Sequence, residues 1–211
     1  PHANTVFDDM FTWLDDVLKV IRKHPETLFV IRAHPDEMRL RKASLETVEH
    51  WYYDRDVFND DNVIFVPPQE TLSSYELIQR AKFTMIYNST IGMEAAIMGE
   101  PVLCAGKARF TQYPTVFFPQ SVEAYGEKLE EFLNAESIEV PAEFKRNARR
   151  FLYYQLYFSS LPFGEYLETG VRTSHALLQD FDLERLSPEY SPTIKTILDG
   201  VLRDGDFLLK K

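Results

Sequence analysis

The chain has 211 residues, 45% of them hydrophobic, enough to bury a substantial core as one large domain or one domain with an extension. Its 33 acidic residues outweigh 23 basic ones, and the formal charge of -10 argues against a nucleic-acid surface or an anionic membrane patch as the main partner. A single cysteine rules out a disulfide framework within the chain, and no apolar run reaches the ~20 residues of a membrane span.

The start, Pro1-His2-Ala3-Asn4-Thr5, has neither an initiator methionine nor a signal peptide, as expected of a portion excised from a longer protein. Phe7, Met10, Phe11, Leu14, Val17, Leu18 and Ile21 then recur at spacings of three and four, which predicts an amphipathic helix over about 6–23. Lys23-His24-Pro25 ends it. Four short runs, 28–32, 63–66, 83–87 and 101–104, are almost continuously apolar, the pattern of parallel strands covered on both faces. Helical segments at about 45–53, 74–81 and 90–98 separate them, giving a βα alternation with right-handed crossovers. Ser73-Ser74-Tyr75-Glu76 fits a capping box, and Gly99 followed by Pro101 supplies a left-handed stop and then a residue that cannot continue a helix.

Cys104 lies in the apolar run Pro101-Val102-Leu103-Cys104, where a buried, inert thiol is expected. After a loop over 105–120, helices are predicted at about 122–133, 142–158 and 193–203, with Ser191 and Pro192 as N-cap and N1 of the last. The predicted fold class is α/β: a Rossmann-like parallel sheet flanked by helices over 1–140, with a helical C-terminal extension over 141–211 packing on it. The aromatic run Phe151, Tyr153, Tyr154, Tyr157 and Phe158 either covers the sheet edge or forms a face for another part of the protein, and self-association through it is expected.

Two motifs carry chemistry. Arg32-Ala33-His34-Pro35 leaves a strand end with a guanidinium and an imidazole two residues apart, a good clamp for a phosphate oxygen, and Pro35 stops the strand. The plain alternative is a strand-end Arg and His bonded to loop carbonyls. Asn88-Ser89-Thr90 places an amide and two hydroxyls at a helix start, where backbone donors and the helix dipole favour an anion. An N-cap serine is the structural alternative there. Gly92 lets a ligand or a strand approach the first turn. Glu94 lies one turn further on, where its carboxylate can accept from the vicinal hydroxyls of a ribose or simply be solvated. Lys107, in Gly106-Lys107-Ala108-Arg109, can reach the same crevice or remain a solvated loop charge. No metal set, GxGxxG or Walker A pattern is present, and neither a metal nor a resident cofactor is expected.

The pairing of Arg32-Ala33-His34-Pro35 with Asn88-Ser89-Thr90-Ile91-Gly92-Met93-Glu94-Ala95-Ala96 and Gly99-Glu100-Pro101-Val102 resembles the C-terminal, donor-binding lobe of GT-B glycosyltransferases. More narrowly, it is similar to the capsule polysaccharide biosynthesis proteins, which include bacterial Kdo transferases. The resemblance covers roughly residues 28 to 118. It implies that His34 contacts the donor phosphate as the leaving-group residue, that Ser89 and Thr90 bind phosphate, and that Glu94 meets the ribose. Asn88 joins them in the donor-binding set, and Arg32 and Lys107 are added on charge and placement.

The implied donor is a nucleotide sugar, with a CMP-sugar favoured, and the acceptor a saccharide or glycolipid held by an N-terminal lobe that also supplies the base. That lobe is not recognisable in the chain, so the fragment is expected to be inactive alone. A cytoplasmic setting is implied, peripheral to the inner membrane in the full-length protein. Tyr87-Asn88-Ser89-Thr90 departs from the aspartate and paired serines of the related teichoic-acid glycerophosphotransferases. A sugar-nucleotide epimerase with the same crevice and a non-catalytic interaction module are the two other classes.

Overall fold

A computed structural model describes residues 3–38, 46–168 and 176–209. The chain divides into two compact units, Pro1–Ala148 and Arg149–Lys211.

The first unit opens with α1 (Met10–Ile21), capped by Asp9, whose carboxylate accepts the Thr12 N–H at 2.7 Å. This cap sets the helix start later than residue 6, although Phe7 stays buried outside it. Trp13, Leu14, Val17, Leu18 and Ile21 form its buried face; the last four lie on the predicted stripe, of which Met10 and Phe11 are only partly buried, and Trp13 lies outside it. Strands β1 (Phe29–Arg32) and β2 (Val63–Val66) pair in parallel, Phe29 opposite Val63 and Arg32 opposite Val66. Strands β3 (Thr84–Ile86) and β4 (Val102–Cys104) form a second parallel pair, Thr84 opposite Val102. The connections are α2 (Val48–Asp54), α3 (Ser74–Arg80) and α4 (Ile91–Met98). Helices α5 (Val122–Asn134) and α6 (Ala142–Tyr157) follow.

The architecture is thus α/β with parallel strands, but the four strands make two separate pairs and not one sheet. Among the described residues each pair is joined through one α-helix, α2 or α4, so its strands are neighbours by the usual βαβ rule. No ladder joins β1 to β3 among the described residues. The two pairs nevertheless share one core, in which Phe29 and Ala33 meet Tyr87, Leu103 and Ala105 together with the apolar faces of α1 and α5.

Polar contacts order the helices on this face. Asp15 of α1 accepts from Trp51 Nε1 of α2 at 2.9 Å and from Arg55 at 2.8 Å. On the other side His24, just past α1, meets Glu130 of α5 at 2.9 Å. α1 therefore lies between α2 and α5. Asn62 Nδ2 donates to the carbonyls of Ile21, His24 and Thr27 at 3.0 to 3.3 Å, tying the end of α1 and the approach to β1 to the start of β2.

The stop and cap signals hold. Ser73 accepts the Glu76 N–H, Gly99 has φ +98° at the end of α4, and Ser191 caps a helix with Pro192 at its first position. In the second unit that helix is α7 (Pro192–Arg203), and Thr193 Oγ1 donates to the Pro162 carbonyl at 2.8 Å. Leu167 and Leu178 form an antiparallel bridge, and an apolar cavity of about 410 Å³ lies among Phe163, Tyr166, Phe181 and Ile194. Tyr153 and Tyr157 contact each other at 4.8 Å between ring centroids and are about half exposed. Among the described residues no helix is long and apolar enough to cross a membrane.

Candidate functional site

Apart from Glu94, which lies within α4, the predicted site residues sit at or just after strand ends of the first unit. Arg32 closes β1 and His34 comes two residues later, before a 3-10 turn at Pro35–Met38. Asn88, Ser89 and Thr90 bridge β3 and α4, and Lys107 follows β4. Ala33, Tyr87 and Ala105 are each within two residues of one of these groups, and all three are buried in the shared core. The core therefore holds the backbones on which the three groups are mounted, while His34, Asn88, Thr90 and Lys107 are exposed.

Arg32 is half-buried, and its Nη1 is buried with no hydrogen-bond partner. A guanidinium donor withdrawn from water without an acceptor is costly, and an anion beside it relieves that cost.

At the other motif, α4 begins at Ile91 with Thr90 as N-cap, and no side-chain capping bond is made. The Ser89 carbonyl accepts the Gly92 N–H at 3.1 Å, and the Thr90 carbonyl the Met93 N–H at 3.0 Å. Ser89 is thus one position outside the cap. The Gly92 and Met93 amides are therefore engaged by backbone carbonyls, and what this helix start offers an external anion is its positive dipole end, with no side-chain cap from Thr90.

Gly92 serves the fold at this point. A Cβ there would lie 2.2 Å from Ile86 Cδ1 and 3.4 Å from Val102 Cγ1, so its absence lets α4 press onto β3 and β4. Gly106 does the same at the end of β4, where a Cβ would lie 3.0 Å from the Tyr87 carbonyl oxygen.

Glu94 is half-buried and accepts a hydrogen bond from the Tyr75 hydroxyl. That bond holds the Tyr75 hydroxyl above its ordinary pKa. Tyr75, in the first turn of α3 and half exposed, is a neighbour of the candidate site that the sequence did not reveal. Its partner lies nineteen residues away on another helix, and the only local signal is an exposed aromatic inside a capping motif.

Lys107 contributes its backbone N–H to the Ala3 carbonyl at 2.8 Å, which brings the N-terminal segment to this end of the strands. Asn4 does the same, its Oδ1 accepting from the Tyr87 hydroxyl at 2.7 Å.

Cys104 is fully buried, its Sγ donating to the carbonyls of Tyr87 and Gly106, and burial pushes its thiol up to about 12. It is an inert packing group. A cavity of about 510 Å³ lies at the opposite, N-terminal ends of β1 and β2, between Arg22, Glu26, Asp60 and Asp61. Asp60 takes the Arg22 guanidinium there at 3.0 Å, and the acidic lining makes a poor receptor for an anion.

A 98-residue stretch is 29% identical to protein FixF of Sinorhizobium fredii (strain NBRC 101917 / NGR234), covering 46% of this chain and 21% of FixF. The chain thus spans about a fifth of the length of that relative. No solved structure matches it significantly. The family model described as capsule polysaccharide biosynthesis protein matches residues 4–113, a span that runs from the N-terminal segment through α1, both strand pairs and Lys107. This chain belongs to the capsule polysaccharide biosynthesis protein family.

Proposed function

We propose that the strand ends of the first unit bind the phosphate of a nucleotide-sugar donor, a CMP-sugar by preference, as the donor half of a GT-B glycosyltransferase. The observation that carries this reading is the buried, unpartnered Nη1 of Arg32 at the end of β1, in a unit whose other strand ends present an uncapped helix start. Family membership supports a role in surface polysaccharide synthesis.

In this reading Arg32 and His34 meet the phosphate from β1, while Ser89, Thr90 and the first turn of α4 meet it from β3, with Asn88 and Lys107 at the rim. Glu94, oriented by Tyr75, accepts from the ribose. As an acceptor hydroxyl attacks the anomeric carbon, the glycosidic C–O bond to the nucleotide breaks and the electron pair stays on the phosphate oxygen. His34, Arg32 and the helix dipole offset that charge, so the contribution of this chain is positioning and leaving-group stabilisation. The acceptor and its base belong to an acceptor-binding lobe outside these residues.

Thermal shift with CMP, CDP, UDP and GDP tests the reading. CMP is expected to stabilise the chain most. No stabilisation by any of them at millimolar concentration overturns it, and a shift led by UDP or GDP overturns the CMP preference.

A further inference from the structure

We infer that the first unit contains a slot between β1 and β3 shaped for one further parallel strand, apolar on both faces and delivered by polypeptide that leads into Ala3. The inference stands on strand pairing and core packing and is independent of the nucleotide reading.

Three observations place the slot. β1 uses one edge for β2, and β3 uses one edge for β4, whose far edge is in turn bridged to Phe117. In β1 the amides of Phe29 and Ala33 donate to Asn62 and Val66, so the alternate groups, on Val30 and Arg32, point away from β2. In β3 the Thr84 amide donates to Pro101, which turns Met85 away from β4. Among the described residues the outer edges of β1, β2 and β3 are therefore unpaired, and those of β1 and β3 lie on the sides away from β2 and β4.

One helix layer serves both pairs, and in this inference the edges of β1 and β3 lie side by side beneath it. α1 lies between α2 and α5, and its Trp13 packs on Tyr87 at the end of β3 with 5.8 Å between ring centroids. Three helices at ~9 Å spacing span about 18 Å between the outer axes. Four strands at ~4.8 Å span only about 14 Å, whereas five span about 19 Å. The continuous helix layer fits a five-stranded layer with its middle member left out.

The N-terminal segment says where that strand comes from. Ala3 and Asn4 are held at the C-terminal ends of β4 and β3. A strand that ends there and passes through α1 to β1 runs parallel to β1 and beside it, by a right-handed crossover. The order becomes β2, β1, new strand, β3, β4, which is the doubly wound order, and the winding reverses between the new strand and β3. Partly buried Ile31 and Met85 turn to the shared core and the exposed Val30 lies on the other face, so a strand beside them has apolar neighbours on both faces, and the occupant is an uncharged segment of about five residues rich in Val, Ile and Leu.

Amide hydrogen exchange on the chain, alone and with a designed Val/Ile/Leu strand fused ahead of Pro1, tests this. A fusion of equal length rich in Gly, Ser and Asp is the control. In the chain alone, the amides of Val30, Arg32 and Met85 are expected to exchange at least tenfold faster than those of Phe29 and Ala33. The apolar fusion is expected to slow all three by at least tenfold and to raise Tm, and the control to change neither.

The inference is overturned if the three amides are protected in the monomeric chain, if neither fusion slows them, or if the apolar fusion is less stable than the control. A dimer of the unextended chain with these amides protected assigns the slot to a second copy and likewise overturns it.

Discussion

Two His-Pro pairs stand ten residues apart, and the molecule uses them in opposite ways. His24-Pro25 follows α1, and its imidazole is gripped by carboxylates at both nitrogens, Glu26 at 3.0 Å and Glu130 at 2.9 Å. An ionised carboxylate only accepts, so the grip is complete when both ring nitrogens carry a proton, and these bonds hold the His24 pKa above the ordinary histidine value. His34-Pro35 follows β1, and its side chain is exposed beside the half-buried Arg32. One dipeptide therefore fastens α1 to α5, while the other stands exposed between the end of β1 and a 3-10 turn.

The sharpest way to break this comparison is His34→Ala. If His34 holds a phosphate, CMP binding weakens by about 1 to 3 kcal/mol, the range of a charge-assisted hydrogen bond, with Tm unchanged. Isothermal titration checks it, and Ser89→Ala is expected to match it from the other strand end. Equal binding losses at His24 and His34 would erase the distinction.

His24→Ala is expected to do the reverse, lowering stability by about 1 kcal/mol and leaving nucleotide affinity alone. Its cost depends on pH. Because the folded pKa of His24 is raised, the stabilisation is fully present below the unfolded value of 6.5 and is lost as pH rises through the folded value. Glu26, whose carboxyl is held low by its own backbone amide and by His24, loses its share as pH falls through its lowered folded pKa. Urea melts of both proteins are therefore expected to differ most near pH 6 and to converge towards pH 9.

Smaller still is Glu130→Gln, which keeps a hydrogen-bond acceptor but removes one charge. A loss under about 0.5 kcal/mol is expected, with a flatter pH profile than the parent. Tyr75→Phe is the mildest change. It frees the Glu94 carboxylate with Tm unaltered, and under the ribose reading it narrows the preference for CMP over its 2′,3′-dideoxy analogue. An unchanged preference in titrations of both ligands separates Glu94 from the ribose.

Local signals made most elements legible. The apolar runs at Phe29–Arg32 and Val63–Val66, the caps at Ser73 and Ser191 and the left-handed Gly99 are encoded within a few residues, and the structure keeps them. Two apolar runs say nothing of which edges they share, so the separation into two strand pairs was not legible. Nor was the bond from Tyr75 to Glu94 or the grip of Glu130 on His24, which joins residues 106 apart. At Gly92 the sequence left a ligand and a strand as equal reasons for the missing side chain, and Ile86 and Val102 decide for the strand. Arg32 was singled out by charge at a strand end, but its buried, unpartnered nitrogen is a property of packing alone.

The fully buried thiol has a practical consequence. Cys104 is the chain's sole cysteine, and with its pKa pushed up to about 12 and its Sγ bonded to two carbonyls it offers alkylating reagents almost no thiolate at neutral pH. The wild-type chain is thus already a blank background for site-directed labelling. A cysteine introduced at Ser89 or Tyr153 would carry a fluorophore or spin label by itself, with no prior removal of Cys104 and no cavity left in the core.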